Sequence, residues 1–480
     1  MSTKNQPPIE ITSTELDRTS GSIKDTEVIP KQNQENNQRL AEIKSGKLDE
    51  SISEFKKNRE KNENLERLSS EKWRYNHLHI KAGSGNLAKP LCYAPFYNVY
   101  LRASSKESRV CCMSTASHEL KTNEMSEVFN NDTAQDIRYS MLKGEWHDSC
   151  KQCKEREDIH LESDRQMYDA WYQSAVNSHV INPHEPLDVV MPEPRWADLR
   201  PSNLCNLKCR MCYPDNSTEI AREWAKLSSP VSDITLDNTY STDELTRLSQ
   251  RKHYKLPELN KVVNLKLLGG EPTVQKEVFD ILDKVEYNRH SKVDITTNAT
   301  TPQQFNSIEP YLKKFAQVGW CVSIDGTKQE YEYIRTPAKW DRFDAAVNHL
   351  LSKQWGRLNT VVTFHFVLQA WNWSSVKDVL QYVKDLRYKY HGGEESPYGH
   401  CGLTIQPVDQ PWLGIGVVPY EERERELALV EKNFSRRCEE LKKWSTLIPY
   451  DPALVKRFRA YTHLLDEKRG TLFESINPKI

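Results

Sequence analysis

Between residues 195 and 409 the chain carries six short apolar or β-branched runs: RWADLRP, VVNLKLLGG, KVDITTNAT, GWCVSIDG, TVVTFHFVLQ and GLTIQPVD. Amphipathic stretches separate most of them. That alternation argues for βα units and a parallel sheet, and six units fit an open or partial barrel with its site at the carboxyl ends of the strands. The residues that follow each strand then matter most. They are Cys205, Cys209 and Cys212 after the first, Gly269, Gly270 and Glu271 after the second, Asn298 after the third, and Ser323 and Asp325 closing the fourth. On this reading they converge on one mouth.

The fold class expected is α/β: a partial (β/α)6 barrel over residues 190–415, a small cysteine-rich N-terminal module over 85–160 and a charged helical C-terminal region over 416–480. Residues 1–75 are rich in Lys, Glu, Asn, Gln and Ser and read as a disordered or loosely helical extension. A balance of 67 basic against 68 acidic residues gives no basic field for nucleic acid. No apolar run reaches the roughly 20 residues that span a bilayer, and MSTKNQPPIE lacks a secretory apolar stretch. The expectation is a cytoplasmic protein without membrane or nucleic-acid partners. Eleven cysteines, bunched mainly between Cys92 and Cys212, then fit metal better than disulfides. The outliers Cys321, Cys401 and Cys438 are expected to be buried or incidental thiols.

NLCNLKCRMCYP sets Cys205, Cys209 and Cys212 at C-x3-C-x2-C spacing. Three thiolates can hold three irons of a four-iron cluster and leave the fourth able to bind an exogenous amine and carboxylate, the two groups of a methionine. In LLGGEP, Gly269 and Gly270 let the backbone approach such a ligand closely, and the Glu271 carboxylate or neighbouring carbonyls can accept hydrogen bonds from its ammonium. Three cysteines alone could equally be part of a zinc site, and a Gly-Gly-Glu-Pro turn alone is a tight loop.

Together, after the first and second strands of a six-unit βα series, these elements resemble the radical S-adenosylmethionine (radical SAM) superfamily. The resemblance implies a [4Fe-4S] cluster bound to SAM, reductive cleavage of SAM to a 5′-deoxyadenosyl radical, and a reducing partner such as a flavodoxin or ferredoxin. It further implies cofactor contacts from Gly269, Gly270, Glu271, Pro272, Asn298, Ser323, Asp325 and Arg335. Met211 stands where the family often has an aromatic residue against adenine, and a soft thioether can still pack on a ring. No catalytic residue is assigned.

Cys92, Cys111, Cys112, Cys150 and Cys153 form a second group. Neighbours in a strand point to opposite faces, so Cys111 and Cys112 are not both ligands, and Cys111 is favoured. CYAPF, RVCCMS and HDSCKQC resemble the SPASM or twitch module of peptide-modifying members, here placed before the barrel rather than after it. That resemblance implies a second, auxiliary [4Fe-4S] cluster on Cys92, Cys111, Cys150 and Cys153, and a peptide or protein substrate entering a laterally open barrel. Two alternatives remain at this level: a zinc-binding structural or interaction protein without radical chemistry, and a degenerate barrel that binds SAM without cleaving it.

Overall fold

A computed structural model describes residues 90–475 apart from 159, 236–239, 251–255, 260, 286–289 and 394–400. The N-terminal extension lies outside the described residues. The strands are β1 (Asn98–Arg102), β2 (Glu107–Arg109), β3 (His118–Glu119), β4 (Trp196–Arg200), β5 (Asn264–Leu267), β6 (Lys292–Thr297), β7 (Gln317–Ser323), β8 (Asn359–Leu368) and β9 (Gly402–Pro407). The longer helices are α1 (Asp132–Lys143), α2 (Lys151–Asp158), α3 (Asp164–Asn177), α4 (Thr218–Thr235), α5 (Thr242–Ser249), α6 (Lys276–Lys284), α7 (Lys328–Ile334), α8 (Trp340–Leu351), α9 (Val376–His391), α10 (Tyr420–Glu431), α11 (Ser435–Leu447) and α12 (Pro452–Arg469).

Each of the six β-branched runs forms a strand, β4 to β9, and these pair in parallel in sequence order. β1 adds a further parallel strand against β4, with Tyr100 opposite Asp198 and Arg102 opposite Arg200. β2 and β3 extend that edge antiparallel, so the order is β3-β2-β1-β4-β5-β6-β7-β8-β9. The cysteine-rich segment therefore shares the barrel's own sheet. Trp196 on β4 seals the joint: it is fully buried, with Tyr97, Tyr168 and Trp171 rings 5.5 to 6.0 Å from its own.

The two sheet faces differ. On β8, Thr360, Val362, Phe364, Phe366 and Leu368 are buried, whereas Thr363, His365 and Val367 between them are only half-buried. Trp320 of β7 shows which face carries the helices, since it packs with Phe305 and Trp355 on that side. α8 buries Phe343, Ala346, Val347 and Leu350, an i, i+3, i+4, i+7 stripe that matches a helix lying on a sheet. The half-buried positions line a concave lumen.

The lateral side of the barrel is bridged. Arg437 of α11 donates to the Leu403 carbonyl of β9 at 2.7 Å, and Lys443 of α11 donates to the His160 carbonyl just past α2 at 3.0 Å. Arg156 of α2 lies 5.2 Å from the Trp444 ring centroid. No helix among the described residues is long and apolar enough to cross a membrane.

Candidate functional site at the strand ends

The loop after β4 is shaped from two sides. Lys208 and Arg210 donate backbone N–H groups to the carbonyls of Thr336 (2.8 Å) and Ile334 (3.0 Å), which zips the cysteine loop to the end of α7. On the other side Glu271 N donates to the Leu204 carbonyl at 2.8 Å, and Gln275 Nε2 donates to the carbonyls of Ser202, Leu204 and Gly269. Both glycines of the turn have left-handed backbone, φ +80° at Gly269 and +55° at Gly270. A Cβ on Gly270 would stand 2.2 Å from the Leu204 oxygen, and one on Gly269 would stand 2.8 Å from Arg200 Cβ. The glycines thus let the turn lie directly on the root of the cysteine loop.

Glu271 is fully buried, and its carboxylate accepts from Thr273 N, Thr273 Oγ1, Thr297 Oγ1, Asn298 N and Gln304 Nε2 at 2.7 to 3.5 Å. Burial pushes this carboxyl up and the donors pull it back. Its side chain staples the end of β5 to the end of β6. Of the two acceptors considered for an ammonium, the carboxylate is already occupied, and what remains is the turn's carbonyls, of which Gly269's already takes Gln275 Nε2 on one lone pair. Pro272 is buried beneath it.

Arg335 lies against the loop from the opposite side. Its Nη2 is 2.6 Å from Asp325 Oδ2 and its Nη1 is 3.9 Å from Cys209 Sγ, while its buried Nε has no acceptor. Asp325 is fully buried and also accepts from Val367 N at 2.9 Å. Its role is to hold Arg335. Asn298 bonds Asn206 Oδ1 at 2.6 Å, reaches Cys205 Sγ at 4.0 Å, and keeps its own buried Oδ1 without a donor. Ser323 ends β7 half-buried beside His365. The Met211 carbonyl accepts from Gln410 at 3.0 Å.

Burial pushes all three thiols up, Cys212 to about 12, and Arg335 pulls Cys209 and Cys212 back. A coordinating metal reverses such shifts, because it holds the thiolate. A cavity of about 370 Å3 is lined by Leu204, Cys205, Asn206, Lys208, Glu219, Val274 and Pro337, so it borders the first cysteine of the loop but not Cys209 or Cys212. Among the described residues no three His, Cys, Asp or Glu side chains converge closely enough for one ion. Thiolates of a four-iron cluster each take a different iron, so they stand farther apart. The loop and the unmet polar atoms at Asn298 and Arg335 fit a cluster with a polar ligand on its open iron.

The upstream cysteines divide by direction. Cys92, Cys111 and Cys153 are buried and Cys150 half-buried, and Cys111 lies within electrostatic reach of the other three. Cys112 faces the lumen, where its neighbours are Lys266, Asp164, Asp198 and Arg200. Of the three outliers, Cys401 and Cys438 are fully buried thiols, but Cys321 of β7 is half-buried and faces the lumen beside Thr296 and Thr363.

Several residues at the site escaped the motif reading. Arg210, between Cys209 and Met211, is fully buried against α12. Its Nη2 stands 2.6 Å from Asp466 Oδ1 and 2.7 Å from Thr471 Oγ1. Asp198, Lys266 and Asp294 form one row across the lumen. A signal for that row was present. A parallel strand covered on both faces reads as a continuous apolar run, whereas these strands carry a charge at alternate positions.

Residues 199–383 match the family model of the Radical SAM superfamily. The chain is 27% identical over 192 residues to the S-adenosyl-L-methionine-dependent tRNA 4-demethylwyosine synthase TYW1 of Xenopus laevis, a match covering 38% of this chain and 25% of that protein. It is 25% identical over 213 residues to the molybdenum cofactor biosynthesis protein moc-5 of Caenorhabditis elegans, covering 44% and 32%. The chain thus spans a quarter to a third of these relatives' lengths. Streptococcus suis SuiB bound to S-adenosylmethionine aligns over 67% of this chain and 64% of that one at 13% identity, with a TM-score of 0.29. TYW1 with a lysine-pyruvate adduct bound aligns over 48% and 70% at 12% identity, with a TM-score of 0.24. The segment bearing the three cysteines and the Gly-Gly-Glu-Pro turn is a radical SAM superfamily domain, and that membership implies a four-iron cluster that binds SAM.

Proposed function

We propose that this chain is a radical SAM enzyme acting on a peptide or protein, with an auxiliary cluster on Cys92, Cys111, Cys150 and Cys153 and electrons from a flavodoxin- or ferredoxin-like partner. A bound, reduced cluster with SAM would supply radical hydrogen-abstraction chemistry at this site. Cys205, Cys209 and Cys212 would hold three of its irons. Gly269 and Gly270 set the turn's carbonyls toward the methionyl ammonium, Asn298 offers its unmet Oδ1, and Arg335, fixed by Asp325, presents a cation beside Cys209 for the carboxylate. Ser323 and Met211 would contact the ribose and the adenine.

The observation that carries the reading is the meeting of the cysteine loop, the glycine turn and the Arg335–Asp325 pair beyond the ends of β4, β5 and β7, within the segment that matches the family. The near-zero net charge supports a peptide rather than a nucleic acid. Anaerobically reconstituted and reduced protein should release 5′-deoxyadenosine from SAM, and Cys209→Ala should abolish the release. Equal release by that variant would end the reading.

A further inference from the structure

Below the cysteine loop, the lumen wall formed by β2, β1, β4 and β5 carries a polar seat that the cofactor site does not use. Its centre is Asp198, which is 1% exposed and receives no hydrogen bond at either carboxylate oxygen. The nearest cation, Lys266 Nζ, is 3.9 Å away, beyond hydrogen-bonding distance. One step along the same face, Arg102 and Arg200 sit opposite each other across β1 and β4. Their guanidinium groups stand 5.7 and 5.3 Å from the Tyr100 ring centroid, and the buried Nε of each has no acceptor. Arg200 also packs under Gly269, so the seat lies directly beneath the glycine turn. Cys112 borders it, with its Sγ 3.9 Å from Asp164 Oδ1.

Buried polar groups are nearly always satisfied, so two open acceptors and two open donors in one wall describe what is missing. The missing group must donate to Asp198 and accept from an arginine Nε. It must also be uncharged. Both signs already crowd this wall, with Arg102, Arg109, Arg200 and Lys266 among Asp198, Glu107, Asp164, Asp294 and Asp409, so an added ion of either sign would meet like charges at low dielectric. A carboxamide meets all three demands: it carries no charge, its NH2 donates to an Asp198 oxygen, and its carbonyl accepts from Nε.

We infer that Asp198, Arg102 and Arg200 form the substrate seat and that it takes the carboxamide side chain of an Asn or Gln residue in a peptide. The inference rests on the radical SAM reading for its setting and names the substrate class for that same lumen.

The test uses reconstituted protein with SAM and four probes in ligand-observed NMR titrations: the N-acetyl, N-methylamide derivatives of glutamine, glutamate and lysine, and guanosine. The three amino-acid probes share a backbone, so only the side chain differs. The glutamine probe should bind at least tenfold more tightly than the other three. Asp198→Asn should weaken it about tenfold or more, the scale of one buried carboxylate left without its donors, and Arg102→Gln should do the same should the first variant not fold. Lys313→Ala, on the surface, should leave it unchanged. Equal binding of the glutamate or lysine probe, tighter binding of guanosine, or an unaltered titration in the folded Asp198 variant would overturn the seat. Release of 5′-deoxyadenosine by the wild-type protein is scored in the same samples. Its absence with the glutamine probe bound would overturn the radical reading and leave the seat standing.

Discussion

The buried ion pair between Arg210 and Asp466 ties the cysteine loop to the last long helix, and breaking it should cost both stability and iron. Arg210 is fully buried, 3.6 Å from the Tyr333 ring centroid, and donates from Nε to the Tyr333 carbonyl at 3.0 Å. Asp466 supplies its counter-charge and also accepts from Thr471 Oγ1 and Phe473 N, each at 2.7 Å. Burial, and after it the nearby Arg469 cation, push the arginine down, while Tyr333 and Asp466 hold it charged. Asp466→Ala therefore strands a buried cation and leaves the Phe473 N–H unmatched, a loss of about 3–5 kcal/mol against a total stability of about 5–15 kcal/mol. A second tie, Arg469 to Glu223, remains, so α12 should stay docked while the loop loosens. Thermal melting should fall by several degrees, and reconstituted iron at the three-cysteine site should drop. Asp466→Asn, which keeps the shape without the charge, should lie between. A variant that melts within about 1 °C of wild type with unchanged iron would refute the tie.

Three further outcomes follow from the geometry. Cys111→Ala should lose the auxiliary cluster whereas Cys112→Ala keeps it, read as iron per chain falling from about eight to about four in the first variant only. Gly270→Ala should lose iron at the three-cysteine site, because its Cβ would meet the Leu204 oxygen at 2.2 Å and its φ of +55° costs a further ~1–2 kcal/mol; normal iron content would argue against that packing. His365, pushed down to about 4 by burial and by Lys266 and Arg335, is neutral in the folded protein over a range where the unfolded chain is protonated. Above about pH 6.5 it contributes nothing; as pH falls towards 4 the unfolded state binds the extra proton and stability drops. The ceiling is about 3 kcal/mol, lower for a half-buried ring. Melting curves of wild type and His365→Gln should converge above pH 7 and separate below 6, and parallel curves would contradict the placement.

The six core strands were legible because β-branched runs between amphipathic segments leave little choice of architecture. The glycine turn and its cysteines were legible because their spacing is local. What the sequence hid is long-range. NVYLR joins β4 through a pairing that spans almost a hundred residues, so the cysteine-rich segment read as a module rather than as part of the sheet. Arg210 and Asp466 lie 256 positions apart. Glu271 stands beside the glycines in sequence, yet which way it points depends on donors from β6 that no local pattern reveals. The strand parity expected to separate Cys111 from Cys112 does not apply, because both lie beyond β2 in a turn; what distinguishes them is their long-range neighbours, Cys92, Cys150 and Cys153 around Cys111 and Asp164, Asp198 and Lys266 around Cys112.

The open iron is the central claim, and electron paramagnetic resonance addresses it most directly. In a Cys150→Ala, Cys153→Ala variant only the cluster on Cys205, Cys209 and Cys212 should remain. The spectrum of that reduced cluster should change when SAM is added, and the change should be lost with Cys209→Ala. An iron spectrum indifferent to SAM, or a colourless protein holding zinc, would contradict the account.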